Sequence, residues 1–382
     1  MTTPTRFAAR LRATLPLGFV LRRLGGTAAL LVVLSVAVFA LLQAAPGDPA
    51  QTLLGPRSAT PEALAAVRAR HHLDSPLAAQ YWYWLSDAVR LDLGTSIRTG
   101  ESVSAAIGGR LALTAQLVGL GLAVALFLGI PLGVLAGVRS RRPVDRAVQS
   151  LGVVALSTPV FAGGLLLIYV FSLMLGWFPA YGPGEGSGTD RLAHLVLPAV
   201  ALGLAVMAVL LKLTRTAVVR ELEREHVTFA RARGVRERDI LLHYVLRGTL
   251  VPVLTGVSLV VAFLLAGTVM VEQVFALPGL GSLLVEAVTF RDLPVVQAEA
   301  LLLAALVCVA TLATDLLLPL LDPRLTDAPP PKAPRPGAPA SPQDLTGDSA
   351  PIPSVQGLSG QGLSAQGPSA VPASAAVHEE GR

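Results

Sequence analysis

The sequence is short of charge. Asp, Glu, Lys and Arg make up only 14% of its 382 residues, against roughly 25% in an ordinary soluble domain. A water-soluble enzyme of this length would carry more. Cysteine occurs once, at Cys308, inside an apolar run. A single thiol closes no internal disulfide and offers no metal cluster, so Cys308 reads as a small packing residue. Lysine occurs only at Lys212 and Lys332; the other basic residues are arginine. Familiar catalytic spacings are missing too. Without a Gly-x-x-x-x-Gly-Lys-Ser/Thr loop the chain is not expected to bind ATP itself. Neither His-Glu-x-x-His nor Gly-x-Ser-x-Gly occurs. His71 and His72 are adjacent, so on a helix they would face different directions and make poor joint ligands.

Apolar residues make up 53% of the chain, with Leu, Val and Ala the bulk of them. A helix needs ~20 predominantly apolar residues to cross ~30 Å of hydrocarbon. Five charge-free stretches reach that length: Leu24 to Gly47, Leu111 to Val138, Ala147 to Gly184, Leu192 to Leu211 and Gly248 to Val271. The third exceeds one span, and its helix is expected near Leu151 to Leu175. A sixth run, Ala300 to Leu321, contains Asp315. The expected fold class is an all-α membrane protein with six transmembrane helices. The first span follows Arg22 and Arg23, as a signal peptide would. Its apolar core exceeds the ~7–15 residues of such a segment, and it reads as a retained anchor.

Basic residues set the orientation, because they concentrate in loops that stay in the cytoplasm. With the N-terminus inside, segments 1–23, 139–146 and 212–247 hold 5, 4 and 9 of them. The outside segments 48–110, 185–191 and 272–299 hold 6, 1 and 1 over a longer stretch. The net charge of +5 is thereby explained without nucleic acid as a partner. Segment 48–110 reads as short helices, Pro61 to Arg70 and Pro76 to Arg90. Its cluster Tyr81, Trp82, Tyr83 and Trp84 is expected at the membrane interface. The spans show no relay of buried acids, bases and histidines. Asp315, near the inner end of span six, is the exception and is expected to pair with a basic residue.

Residues 326–382 are dominated by Pro, Ala, Gly, Ser and Gln, with a five-residue repeat seen at Gln356-Gly357-Leu358-Ser359, Gln361-Gly362-Leu363-Ser364 and Gln366-Gly367-Pro368-Ser369. Such a segment buries too little apolar surface to offset its ordering entropy. It reads as a disordered cytoplasmic tail. The division is then residues 1–23, a membrane domain over 24–325, and the tail.

The loop between spans four and five is the most informative. It runs from Arg220 through Glu225-His226-Val227-Thr228-Phe229-Ala230-Arg231-Ala232-Arg233-Gly234. Small residues Ala230 and Ala232 followed by Gly234 read as a short helix with an abrupt end, since glycine suits the left-handed position past a helix terminus. A second helical stretch, Val235 to Arg247, leads to Pro252 in span five. A short amphipathic helix on the inner face can dock in a partner's groove, and Ala230 is expected at that docking surface.

This loop resembles the coupling loop of binding-protein-dependent ABC importer permeases, whose pattern is Glu-Ala-Ala, three residues, Gly, then an apolar stretch ending in Pro. Ala230 and Gly234 match the second Ala and the Gly; Thr228 and Phe229 replace the Glu and first Ala. The stretch Ala230-Arg231-Ala232-Arg233-Gly234 resembles the dipeptide/oligopeptide/nickel branch. Further matches follow in order: Ala45-Pro46-Gly47-Asp48-Pro49, Asp92-Leu93-Gly94-Thr95-Ser96, Ser157-Thr158-Pro159-Val160-Phe161, Leu197-Pro198, Pro278-Gly279-Leu280-Gly281, Arg291-Asp292-Leu293-Pro294 and Asp322-Pro323-Arg324. The resemblance covers about residues 17–325.

It implies a permease of the type I importer fold, in the inner membrane with both termini cytoplasmic, forming half of a path for peptides or a related solute. The implied partners are a second homologous permease, two ABC ATPase subunits, an extracytoplasmic solute-binding protein and the lipid bilayer. The chain itself would bind no cofactor and catalyse no hydrolysis; ATP and Mg belong to the ATPases. The alternative is a secondary transporter or channel without ATPase partners. Pro131, Pro159, Pro198 and Pro252 stand in spans, where neighbouring helices can satisfy the freed carbonyls; they read as kinks, static or hinged.

Overall fold

The computed structural model describes residues 17–44, 50–51, 60–70, 72–184 and 188–321. Ala45, Pro46, Gly47, Asp48, Pro49, His71, Asp322, Pro323, Arg324 and the tail from 326 to 382 lie outside the described residues. The described residues are mostly helical. In chain order the helices are α1 (Leu17–Ala44), α2 (Pro61–Arg70), α3 (Leu77–Val89), α4 (Val103–Val138), α5 (Pro143–Ser157), α6 (Val160–Leu167), α7 (Gly188–Leu222), α8 (Glu225–Ala232), α9 (Leu246–Val274), α10 (Leu280–Thr289) and α11 (Leu293–Leu321). A wide-turned segment, Ile168–Met174, prolongs α6, and another, Ile240–Val245, leads into α9. Five helices are long and apolar enough to cross a membrane, and six crossings result if the bent pair α5–α6 counts as one.

The centre of the bundle is the pair α4 and α7. Along α4, Gly121, Ala125, Gly129, Gly133 and Gly137 recur every fourth residue and are all buried. That spacing puts them on one helix face. In lipid, where apolar side chains gain little by leaving solvent, small residues let helix backbones approach and gain van der Waals contact. The approach is close: a Cβ at Gly133 would stand 2.8 Å from the Leu211 carbonyl, and one at Gly129 3.0 Å from that of Met207. From the α7 side, Gly203 meets the Gly121 carbonyl in the same way. α9 lies along α7, and α11 packs on α9 and α1.

Three expectations are corrected. The helix expected over Leu151 to Leu175 is two helices meeting at 102°. Thr158 is extended (φ −81°, ψ 119°), as a residue before proline tends to be, and Pro159 has no N–H to carry the helix on. Pro131 and Pro198, by contrast, sit inside unbroken helices. Second, the segment 272–299, expected outside the membrane between spans five and six, is mostly helical. α9 runs through Glu272 to Val274, α11 begins at Leu293, and α10 fills the gap. Third, buried acids do occur: Glu272 and Glu299 are wholly inaccessible, although both had marked the ends of charge-free runs.

The expected partner of Asp315 is Arg23, at 3.1 Å, joining α11 to α1. The aromatic cluster divides. Tyr81 and Trp84 pack on Phe39 of α1, with ring centroids 5.6 and 5.8 Å away, and the Tyr81 hydroxyl is 2.7 Å from that of Ser35. Trp82 and Tyr83 remain exposed.

Candidate functional site

At one end of the bundle α7 stops, the chain turns at Glu223–Arg224, and α8 follows. The turn is held by Glu221. This carboxylate is buried and meets Arg224 Nε at 3.1 Å and His226 Nε2 at 3.3 Å. It also lies flat on Gly248 of α9, where any Cβ would collide with it. α8 has only eight residues, too few to stand alone in water. Its inner face supplies the missing stability: Val227 and Ala230 are buried with Val218, Ile240 and Val245. Its end is a two-bond glycine cap. Gly234 takes φ +76°, its N–H donates to the Arg231 carbonyl (2.9 Å), and the Val235 N–H reaches back to Ala230 (3.2 Å). These are the pairings of a helix closed by a left-handed residue.

The outer face of α8 carries Thr228, Phe229, Ala232 and Arg233, all exposed. Phe229 is 69% exposed. Arg231 is tied to Glu237 at 2.9 Å, while Arg224, Arg233, Arg236 and Arg238 keep the surface basic. An exposed phenyl ring on a short helix whose other face is packed, on a surface rich in arginine, suits insertion into a partner's groove. Of the expected docking residues, Thr228, Phe229, Ala232 and Gly234 are exposed together. Ala230 is not: it is 5% exposed and faces its own bundle, because it shares the inner stripe with Val227, three residues away. Pro252 sits in α9, exposed and outside the apolar cluster around α8.

One turn inward, Asp145 at the start of α5 accepts both Arg215 Nε (2.7 Å) and Nη2 (2.8 Å) from α7. It also accepts the Arg141 N–H (2.8 Å) and Gln149 Nε2 (2.9 Å). This two-pronged geometry fixes orientation as well as distance. It ties the α4–α5 turn to the helix that carries α8. Sequence reading missed it; Asp145 among four nearby arginines was the signal.

At the opposite end, two of the short sequence signatures meet. Asp292, at the mouth of α11, is 3% exposed. Its carboxylate accepts the Ser96 hydroxyl, the Ile97 N–H (3.1 Å) and the Arg98 N–H (3.4 Å). Arg291 precedes it with a left-handed φ of 57°. The Pro278-Gly279-Leu280-Gly281 turn is clamped by a second carboxylate. Glu272 accepts the Thr114 hydroxyl (2.7 Å) and the Ser282 N–H (2.9 Å), and Thr114 in turn accepts the Leu280 N–H (2.9 Å). Gly279 and Gly281 leave the space for this: a Cβ on either would strike the Glu272 carboxylate or the Val269 backbone. Two buried acids therefore fasten the chain between α9 and α11.

Long spanning helices, a small exposed helix at one end and a clamped turn at the other define a subunit of a membrane transport assembly. The chain belongs to the family described as binding-protein-dependent transport system inner membrane component, whose model matches residues 129–327. A companion model for the N-terminal part of such components matches residues 16–118. The glutathione transport system permease protein GsiC of Escherichia coli (strain K12) is 38% identical over 309 residues, 81% of this chain and 99% of that protein. The protein of the same name from Salmonella typhimurium matches equally, 38% over 309 residues, with the same coverage of both chains. Among solved structures, an inward-facing MetNI methionine ABC transporter aligns with 56% of this chain and 96% of its own, at 18% identity and a TM-score of 0.47. The protein is thus a multi-pass inner-membrane permease subunit of an ABC importer, and in this family the ATPase activity resides on separate subunits. The alternative of a transporter working without ATPase and binding-protein partners is set aside.

Proposed function

We propose that α8 is the element gripped by the ATPases, that its end of the bundle is cytoplasmic, and that the Glu272–Asp292 end faces the solute-binding protein. The observation that carries this is Phe229, exposed on a helix whose other face is locked into the bundle. A push on such a helix is passed to the bundle rather than absorbed. Glu221 links it to α9 through Gly248, and Arg215–Asp145 links its parent helix to α5. The excess of basic residues near α8 supports the same orientation. A second, homologous permease would complete the path, with two ATPases binding ATP and Mg below. ATP moves the assembly only as far as it binds one state better than the other.

The solute is read as a peptide or a peptide-like molecule such as glutathione. The support is the likeness to GsiC along 309 residues. Co-purification from membranes tests the assembly: two ATPase chains and a second permease should accompany this one, and a Phe229→Ala variant should capture the ATPases roughly 10-fold less well while keeping the permease. Undiminished capture of both ATPases by that variant would overturn the docking assignment. Binding of glutathione and dipeptides to the solute-binding protein encoded beside this chain tests the solute class.

A further inference from the structure

Glu299 stands on α11, fully buried, and neither of its carboxylate oxygens meets a hydrogen-bond donor. Removing a carboxylate from water without a partner is costly. Glu272, its acidic neighbour on α9, is fully supplied by Thr114 and Ser282. Two charges act on Glu299: Glu272 repels it, and Arg110 of α4 attracts it. Arg110 is half-buried and lies one turn before Thr114 on α4. Among the described residues it forms no ion pair within 4.0 Å.

The other acids around Arg110 are engaged or exposed. It lines a cavity of about 30 Å³ with Glu101, Glu286 and Asp292. Glu286 pairs with Arg98 at 2.8 Å, Asp292 holds Ser96 and two backbone N–H groups, and Glu101 is exposed, where a pair contributes little. An unpaired cation on α4 and a buried carboxyl without a partner on α11 therefore sit at the same end of the bundle. α11 packs mainly on α9 and α1 and touches α4 over a short stretch, so a shift of α11 along α4 would leave the α4–α7 centre in place.

We propose that Arg110 and Glu299 pair in a second state of the transport cycle, making them positioning residues for the end of the bundle that holds the clamped turn. Sliding of α11 along α4 brings guanidinium and carboxylate together, and Thr114, one turn along, transmits the shift to Glu272 and to Leu280 of the turn. The inference rests on the importer reading, which supplies the two states.

The test uses the complete complex with its ATPases and receptor. In a Cys308→Ala background, Arg110→Cys and Glu299→Cys are combined. A paired arginine and glutamate hold their Cβ atoms farther apart than the ~4 Å of a disulfide, so a short bifunctional thiol cross-linker is used, and its yield is compared without nucleotide and after trapping with ATP and vanadate. At least a five-fold difference between the two conditions is expected. The charge variants Glu299→Gln and Arg110→Gln are expected to trap nucleotide about five-fold less than wild type, and the exchanged pair Arg110→Glu with Glu299→Arg to recover most of that loss. A yield insensitive to nucleotide, or wild-type trapping by Glu299→Gln, overturns the proposal. Should the exchanged pair fail to assemble, the cross-link yield decides. ATPase capture is measured on the same samples; its absence in wild type would strike the importer reading rather than the pair.

Discussion

At the α8 end of the bundle the short helix is seated by apolar packing, and the buried carboxylates beside it, Glu221 and Asp145, are met chiefly by cationic side chains. At the other end carboxylates are buried and hold backbone N–H groups. α8 itself thus keeps its place by side-chain packing around Val227 and Ala230 and leaves its polar surface free for a partner. The opposite end keeps its shape by charge-assisted hydrogen bonds, from Glu272 to Ser282 and from Asp292 to Ile97. Packing tolerates some change of volume, whereas a buried carboxylate tolerates loss of its donors poorly. The two ends should therefore fail differently when altered.

The largest effect is expected at the clamped turn. Gly281→Val places a side chain against the Val269 backbone, which has no room to yield. Overpacking of this kind costs about 3 kcal/mol, and the purified permease should melt at a clearly lower temperature in detergent. An unchanged melting temperature would refute the clamp. Asp292→Ala comes next. It leaves the Ser96 hydroxyl and the Ile97 N–H without their acceptor, for roughly 2 kcal/mol. Asp292→Asn keeps one acceptor oxygen and should lie between Ala and wild type; equal melting of all three proteins would show that the network holds nothing.

How much of this was legible beforehand depended on the kind of signal. Spans were legible because hydrocarbon demands long apolar runs, and the α8–Gly234 cap was legible because few residues besides glycine enter a left-handed turn readily. The α5–α6 break was half legible: Pro159 was noted, but a proline in a span permits a kink, a hinge or a break. Pro131 and Pro198 show that an unbroken helix is also allowed. Glu272 and Glu299 were misread because charge was taken to end a span. The partner of Glu272, Thr114, stands 158 positions away in sequence, and no local pattern announces such a pairing. The four-residue rhythm from Gly121 to Gly137 was present in the sequence; only its partner surface on α7 was not.

At the α8 end the expected effects fall on docking rather than on folding. Phe229→Ala should leave the melting temperature almost unchanged, since a change at an exposed site is usually within about 0.5 kcal/mol. The same change should weaken ATPase capture by roughly 10-fold, or about 1.4 kcal/mol, as loss of an aromatic anchor does. Ala230→Trp should do the reverse in part, lowering the melting temperature first, because Ala230 faces inward. Identical behaviour of the two variants would erase the distinction between the faces of α8.

The smallest effect is expected at Gly234, and it isolates backbone conformation from contact. Nothing lies within 4 Å of a Cβ built there, so a methyl group meets no obstacle. What it meets is the φ of +76°, a region L-residues enter at a cost of about 1 kcal/mol. Gly234→Asn should cost less than Gly234→Ala, since asparagine visits this region more readily. Gly234→Pro should cost more than either, because it forbids the positive φ and removes the N–H that caps Arg231. Limited proteolysis at Arg231 and Arg233, read beside ATPase capture, should rank the four proteins as Gly, Asn, Ala, Pro. Any order in which Ala is no worse than Asn would mean that the left-handed turn does not set the end of α8, and that the abrupt stop comes instead from the packing of Val235 and Ile240 behind it.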